Sequence, residues 1–507
     1  MSILVAEYNG KPLICIPMDF TYKSLAQMAC GAVALASLSG CQKETRPNIL
    51  LLMSDNQSWN HVGCYGDNVV RTPNIDAIAS QGVRFTNAFC AAPSSTPARA
   101  ALLTGQDIWR LEEGANLHGT LPAKYVTYPD RLENAGYFCG ITGKGWGPGN
   151  FKAAGRTRNP GGDNFEGFAD FLSNAPKGRP WHFWFSSKEP HRPFSEGTNY
   201  HSLIQNIEVP PYLPDNEEVR KDICDYYAAI ERFDNEVGEI IKLLKASGQY
   251  NNTIIVVCSD NGWQMPRGLA NLYDSGTKIP LIISYPEKFK PAVSEAFVNL
   301  NDITPTFLEL AGIAKPEDMT ANSLIPVLNG GEATHDFVVM ARERHAYVRK
   351  DGLGYPGRAI RTKDYLYIRN YEPDRWPAGD PPLFGDVDAH MLHYKSLTKV
   401  YLLAHQENPD IKPLFDLSFS KRPAEELYDL KSDPYQMNNI VNQEQYAQQR
   451  KNMVNLLDNY LLKNGDPRTS GTETIWDQAE YYMDRDKNPR PGEDAIKLLK
   501  LEEEYKY

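Results

Sequence analysis

The residues of this 507-residue chain that could do chemistry are two Asp-Asn pairs, one serine ahead of an arginine, and a few separated basic groups. Asp55-Asn56 and Asp260-Asn261 each close a short apolar run. Carboxylate and amide oxygens of this kind suit a hard divalent cation, Ca2+ or Mg2+, and there is no His/Cys set for zinc. Between the pairs, Ser94-Ser95-Thr96-Pro97-Ala98-Arg99 runs into Ala100-Ala101-Leu102-Leu103, which predicts a helix with proline in its first turn. Ser95 then stands at the positive end of that helix, where unpaired N–H groups favour an anion, and Arg99, one turn on, can point back to it. Taken alone, such a serine is an ordinary cap and an Asp-Asn pair an ordinary turn. Lys144, in Thr142-Gly143-Lys144, and His191, in Pro190-His191-Arg192-Pro193, complete the candidates.

The elements that must position these residues alternate between strands and helices. Stretch 46–56 is a continuous apolar run that reads as a strand buried on both faces, and 136–144, 182–187, 253–258 and 278–285 read as further strands. Residues 72–82 predict a short capped helix closed by Gly82. Residues 216–248 carry Val219, Ile223, Tyr227, Ile230, Phe233, Val237, Ile241 and Leu244 at helical spacing, a stripe read as core. Asp302 is expected to cap a helix from Ile303 to Leu310. The alternation predicts an α/β fold, a doubly wound, mostly parallel sheet. In such a sheet a site gathers at the carboxyl ends of the strands, so Asp55, Lys144, His191 and Asp260 are expected to converge. Past Asn329-Gly330-Gly331 the pattern changes: 358–369 alternates like an antiparallel pair around a Lys-Asp turn. The expected organisation is a signal-type region over 1–40, a catalytic domain over 41–330, and a smaller C-terminal α+β domain with an antiparallel sheet over 331–507.

Composition narrows the class. A chain of this length exceeds one simple core, and 41% hydrophobic with 23% charged residues describes a soluble globular protein. A net charge of −11 argues against nucleic acid as a partner, so an anionic substrate needs a local cluster of basic groups. From Met18, a possible true start, Lys23 precedes a small-residue apolar run over 24–37 that ends in Leu38-Ser39-Gly40-Cys41. That order resembles a bacterial lipoprotein signal with Cys41 as the lipidated residue. It implies export to the periplasm or cell surface, with a membrane contact only through the lipid. The later cysteines, Cys64, Cys90, Cys139, Cys224 and Cys258, have no paired spacing that predicts disulfides or a metal.

Several motifs follow one another in a recognisable order: Arg46-Pro47-Asn48-Ile49-Leu50 through Asp55, Gly63-Cys64-Tyr65-Gly66, Thr72-Pro73-Asn74-Ile75-Asp76 and Gly82 to Ala88. Ser95-Thr96-Pro97-Ala98-Arg99 with Leu102-Leu103-Thr104-Gly105, the Lys144 and His191 segments, and Ser259-Asp260-Asn261-Gly262 come next. Glu426-Leu427-Tyr428-Asp429-Leu430 with Asp433-Pro434 closes the series. From about residue 46 to 450 the chain resembles a type I sulfatase of the alkaline-phosphatase-like superfamily. The resemblance implies that Ser95 is oxidised to formylglycine by an anaerobic sulfatase-maturating radical enzyme and serves as the nucleophile. It further implies a cation, Ca2+ with Mg2+ as the alternative, on Asp55, Asn56, Asp260 and Asn261 together with the matured Ser95. Arg99 would stabilise the hydrated aldehyde, Lys144 and His191 would bind sulfate, and His191 is the candidate acid. Arg267, preferred over Lys278, would supply a later cation, because the surrounding sequence through Asn271-Leu272-Tyr273 resembles the sulfamidase branch.

Two positions depart from that pattern. Asn56 stands where the family has a second aspartate. Trp146 stands where the family has a histidine two residues after the lysine, with His118 as the substitute considered. Glu343, Arg344 and His345, with Arg358 or Arg361, could grip sugar hydroxyls, or form a solvated strand face. Trp109 and Trp146 could stack on sugars or pack in the core. A sulfate ester is a poor electrophile with dispersed negative charge, so it needs a Lewis acid, cations and a proton for the leaving oxygen. The implied activity is hydrolysis of sulfate esters on carbohydrates, glycosaminoglycan or mucin-type, with O-sulfated galactose or hexosamine as candidates. The alternatives are a sulfamidase acting on N-sulfoglucosamine, a phosphomonoesterase or phosphonate hydrolase with unmodified Ser95, and a non-catalytic lipoprotein that binds sulfated glycans.

Overall fold

The structure is a computed structural model and describes residues 7–8, 11–12, 46–195, 198–386, 396–471 and 475–483. The chain divides into residues 1–45 and residues 46–507. Of the first unit, the described part is a pair of short antiparallel strands, Glu7–Tyr8 and Lys11–Pro12; the signal-type run and Cys41 lie outside the described residues. Among the described residues no helix is long and apolar enough to cross a membrane.

The uncharged run Asn-Ile-Leu-Leu-Leu-Met-Ser forms β1 (Asn48–Ser54), buried at every position. Because side chains alternate across a strand, Ile49, Leu51 and Met53 enter one core while Leu50 and Leu52 enter another on the opposite face. Seven more strands join it: β2 (Val83–Phe89), β3 (Phe138–Gly143), β4 (Asp163–Asn164), β5 (Trp181–Ser186), β6 (Thr253–Ser259), β7 (Leu281–Ser284) and β8 (Ala292–Asn299). Their order across the sheet is β8-β2-β7-β6-β1-β5-β3-β4. All neighbours are parallel except those of β7, which runs antiparallel to both β2 and β6. The predicted doubly wound α/β sheet is observed, and the reversal of β7 has a simple cause. After β6 the chain crosses the carboxyl edge through loops and one four-residue turn, Asp274–Thr277. No crossover helix returns it to the amino edge, so it re-enters the sheet pointing the other way.

Helices cover both faces. On one side lie α1 (Pro73–Ala79) and, as predicted, the long α3 (Glu217–Ala246), whose Phe233 and Val237 pack with Leu50, Leu52, Ile255 and Val257. On the other lies α2 (Ser95–Thr104), buried along all ten residues. Its Leu102 and Leu103 face the large sheet, while Ala101 faces a second core with Val339, Ala341 and Ile360. A helix covered on every side must be apolar all round, which accounts for the Ala-Ala-Leu-Leu run. Asp302 does precede α4 (Ile303–Leu310), but it makes no side-chain cap to that helix. Its carboxylate accepts from Asn299 N and Asn322 N, each at 2.8 Å, and so ties the end of β8 to a distant loop.

The second sheet is antiparallel throughout, in the order β9 (Phe337–Arg342), β10 (Gly357–Thr362), β11 (Tyr365–Asn370), β12 (Glu425–Asp429). The expected pair around Lys363-Asp364 is β10 and β11. A late helix, α5 (Ala447–Lys463), packs Leu457 and Leu461 onto this sheet.

Candidate active site

Four adjacent parallel strands, β6, β1, β5 and β3, end side by side, and their carboxyl ends are laced together by backbone hydrogen bonds. Asp260 N donates to Ser54 O (3.3 Å), Asp55 N to Glu189 O (2.9 Å) and Lys144 N to Ser186 O (3.3 Å). The chain turns sharply past β1, where Asn56 adopts φ 68°, a left-handed conformation that asparagine tolerates better than most residues. Past β6, Gly262 is required because a Cβ there would meet the carbonyl oxygen of Ser275 at 2.0 Å.

Ser95 is the first residue of α2 and is buried, with Ser94 in extended conformation before it. Lys144 Nζ donates to Ser95 Oγ at 2.9 Å and to Asp55 Oδ2 at 2.8 Å, and Ser95 Oγ lies 3.3 Å from Asp55 Oδ1. Arg99, fully buried, reaches back from one turn later. Its Nε donates to Asp260 Oδ2 at 2.9 Å, its Nη1 to Gly145 O and Ser186 Oγ, and its Nη2 lies 3.7 Å from Asp55 Oδ2. Asn56 N donates to Asp260 Oδ1 at 3.0 Å, tying the two Asp-Asn segments together. His191, half-buried, sets its Nδ1 against the Arg192 carbonyl oxygen and lies in the field of Asp55 and Lys144. Asp55, Lys144, His191 and Asp260 were expected to converge, and the strand ends bring them together, with α2 delivering Ser95 and Arg99.

The electrostatics follow from burial and charge. Burial works to raise the Asp55 carboxyl, but Lys144, Arg99 and His191 outweigh it and hold the group well below the usual carboxylate range. Burial pushes the Lys144 ammonium down, against the pull of Asp55 and Asp260. It also pushes the His191 imidazole down.

Among the described residues no group of three or more His, Cys, Asp or Glu could hold a metal. The donor set here is half amide, however. Asn56 Oδ1 and Asn261 Oδ1 are both buried without a hydrogen-bond partner, beside the carboxylates of Asp55 and Asp260. Unpaired buried acceptors are costly, and four oxygens of this type fit a hard cation.

The remaining sequence candidates divide. His345 comes to the site: its Nδ1 lies 2.8 Å from Ser94 Oγ, next to Ser95, and its Nε2 makes no hydrogen bond within the protein. Burial pushes it down to about 4. His118, at φ 54°, lies edge-on to Tyr481 at 5.0 Å, and burial, aided by His345, Lys144 and Arg344, pushes it down to about 3. Other candidates are consumed elsewhere. Arg267 donates to the carbonyl oxygens of Leu417 and Gln436 and stacks 3.9 Å over Tyr273, so it braces the polypeptide around β12. Lys278 lies 4.0 Å over the Trp59 ring. Arg361 forms a bidentate pair with Asp274, and Glu343 is held by Arg358 and Arg468. Arg344 donates to Ala479 O and Glu480 O. Trp146 is 2% exposed and Trp109 5%, both core side chains, which removes them as platforms for a sugar.

Sequence reasoning missed the partners that complete the cluster. Gln264 accepts from both Asn56 Nδ2 (3.3 Å) and Arg192 N (3.0 Å), and Ser186 and Ser94 hold Arg99 and His345. Single polar residues in loops carry no spacing signal. Only the position of Gln264 two residues after Gly262 hinted at it.

Known proteins are similar to this chain over most of its length. The family model described as Sulfatase matches residues 47–152 and 162–313, and that of the N-sulphoglucosamine sulphohydrolase C-terminal region matches 266–380. An ulvan-active sulfatase of Formosa agariphila is 28% identical over 441 residues, covering 83% of this chain and 81% of its own. The N-sulphoglucosamine sulphohydrolase of Homo sapiens is 28% identical over 490 residues, covering 87% and 94%. A protein solved with its substrate D-glucosamine-2-N,6-O-disulfate shares the fold, with a TM-score of 0.64 at 22% identity over 84% of this chain and all of that one.

Proposed function

The chain belongs to the sulfatase family of sulfuric ester hydrolases, and on that premise we propose that it removes sulfate from O-sulfated galactose or hexosamine in glycosaminoglycan- or mucin-type glycans. The observation that carries this reading is Ser95 Oγ at a helix N-terminus, hydrogen-bonded by Lys144 beside Asp55, with Arg99 joined to Asp260 behind it. The sugar sulfates named for similar proteins support the substrate class.

Asp55, Asn56, Asp260 and Asn261 are the residues to hold a cation, Ca2+ in our reading, which would act as Lewis acid toward the ester. Formylglycine at Ser95, made by an anaerobic radical maturase, supplies as its hydrate one hydroxyl to attack sulfur and a second that allows sulfate to be expelled. Lys144 and His191 place positive charge and donors against the equatorial oxygens of the sulfate. His191 is positioned to hand a proton to the departing sugar oxygen. Arg99, locked by Asp260, Gly145 and Ser186, keeps its free Nη2 aimed toward the Asp55 side.

The match over 266–380 favours one second reading, cleavage of N-sulfoglucosamine. Matured protein assayed against O-sulfated and N-sulfated saccharides of defined structure separates the two. Mass spectrometry of the native Ser95 peptide is the companion measurement: a loss of one pair of hydrogens is expected, and a wholly unmodified serine in active protein overturns the formylglycine step. We also place the protein outside the cytoplasm on a lipidated Cys41, which a mature N-terminal peptide beginning elsewhere would refute.

A further inference from the structure

A cavity of about 430 Å3 opens beside Tyr227 of α3. Ser58 and Trp263, which follow the two Asp-Asn segments, belong to its wall, but none of Ser95, Lys144, His191 and Asp260 does. Its size falls in the range of small-molecule sites, roughly 300–1,000 Å3. Its chemistry is the reverse of the cluster at Ser95. Its wall includes the aromatic residues Trp59 and Tyr435, the acids Asp67 and Glu208, and no lysine or arginine, with Tyr212 and Trp263 buried behind it and Lys278 held over the Trp59 ring outside the wall. The third carboxylate of the wall, Asp274, is committed to Arg361.

These features select a ligand. Rings bind an apolar face, and carboxylates in such a wall ask for hydroxyl or ammonium donors. A sulfate group would meet two carboxylates that no salt bridge neutralises, and would be repelled. The acids are braced in place. Asp67 accepts from Val69 N, Val70 N and Tyr227 Oη, the last at 2.6 Å, and Glu208 Oε1 accepts from Tyr435 Oη at 3.0 Å. Tyr435, 36% exposed, stands at the mouth with its ring 6.2 Å from that of Tyr212.

We propose that this cavity binds an unsulfated sugar unit, best matched by an amino sugar with a free ammonium, stacked on the exposed ring of Tyr435 beside Trp59 and bonded through Asp67 and Glu208. Such a site would hold a sugar that carries no sulfate while the cluster at Ser95 takes one that does. The inference does not depend on maturation of Ser95.

The test uses the full chain carrying Ser95→Ala and Lys144→Ala, so that the catalytic cluster neither turns over nor holds an anion. Saturation-transfer NMR and calorimetry with D-glucosamine, glucosamine 6-sulfate and tetramethylammonium give the comparison. Glucosamine is expected to bind saturably in the millimolar range, about tenfold more tightly than its 6-sulfate. Tyr435→Ala and Glu208→Gln, both at exposed positions, are each expected to weaken it by about tenfold with unchanged thermal unfolding. Equal binding of the 6-sulfate, equal binding of tetramethylammonium, no saturable binding of glucosamine, or indifference to Tyr435→Ala would each overturn the proposal. A glucosamine tetramer distinguishes the source: tighter binding than the monomer points to a unit within a chain, and equal binding to a free sugar.

Discussion

Two buried groups of charged side chains, one at Ser95 and one beneath the second sheet, are built from the same residue types but differ in what they leave unpaired. Under the second sheet, Arg358 pairs with Asp466 at 2.7 Å and Glu343 at 2.8 Å, and Arg468 closes on Glu343 at 2.6 Å. No side-chain atom of Glu343, Arg358 or Asp466 is left without a partner. At Ser95, Arg99 and Lys144 neutralise Asp55 and Asp260 in much the same way, yet Asn56 Oδ1, both polar atoms of the Asn261 side chain and Arg99 Nη2 lack hydrogen-bond partners. A closed set of pairs holds a fold. A set with buried groups left over is poised to take a ligand.

The sharpest way to break this comparison is Arg358→Met. It strands Asp466 in the interior and leaves Glu343 to Arg468 alone, and urea denaturation should show a loss of about 3–5 kcal/mol; a loss under about 1 kcal/mol would mean the pairs do not hold the second sheet. Lys144→Ala in matured protein is the counterpart. Its kcat should fall by about a hundred- to a thousandfold, with unfolding stability changed by less than about 1 kcal/mol because Lys144 is partly exposed. Collapse of the fold, with activity per folded molecule retained, would reverse the assignment. Asn56→Asp then sharpens the comparison by adding a carboxylate where an unpaired amide oxygen stands. Calorimetric Ca2+ affinity of the full chain should rise by about tenfold, chelation should lower both activity and melting temperature, and added Ca2+ should restore them.

The smallest effect is one of pH. Asp386 accepts from Arg342, Arg349 and Ala346 N. Burial works to raise its carboxyl, but the two arginines and His345 draw it from 3.8 down to about 2. A depressed carboxyl stabilises the fold above its unfolded value and loses that contribution as pH falls through the folded one. The part that Asp386→Asn removes should therefore be level from neutral pH to about 4 and fade between 4 and about 2, in denaturation midpoints measured stepwise across that window.

The contrast between the clusters also explains what could be read in the chain. The large sheet was legible because a strand buried on both faces must be apolar, and Leu50-Leu51-Leu52 and Ile254-Ile255-Val256-Val257 have no other use. The site was legible where one residue per strand end is fixed by chemistry: Asp55, Lys144, Asp260. Strands β2 and β8 were not, because Arg84, Asn87, Ser294 and Glu295 interrupt the apolar pattern. Arg267 was read as functional, and Glu343 and Arg361 as either sugar-gripping or solvated, because a sequence shows a charge without its partner. Asp274, Arg468 and the carbonyl oxygens of Leu417 and Gln436 lie between 87 and 169 residues away from them along the chain. For Trp146 the sequence left both readings open, since a tryptophan looks alike whether it meets a sugar or a core.

The reversed strand β7 offers a practical handle. Because it runs against its neighbours, the turn that follows it, residues 285–291, emerges on the amino edge of the sheet, the end away from Ser95. Tyr285 and Phe289 anchor the turn from beneath while Glu287, Lys288, Lys290 and Pro291 are exposed. Exposed turns of this kind accept insertions. A cysteine or peptide tag placed there would tether the protein to a sensor surface with its catalytic mouth facing the solution.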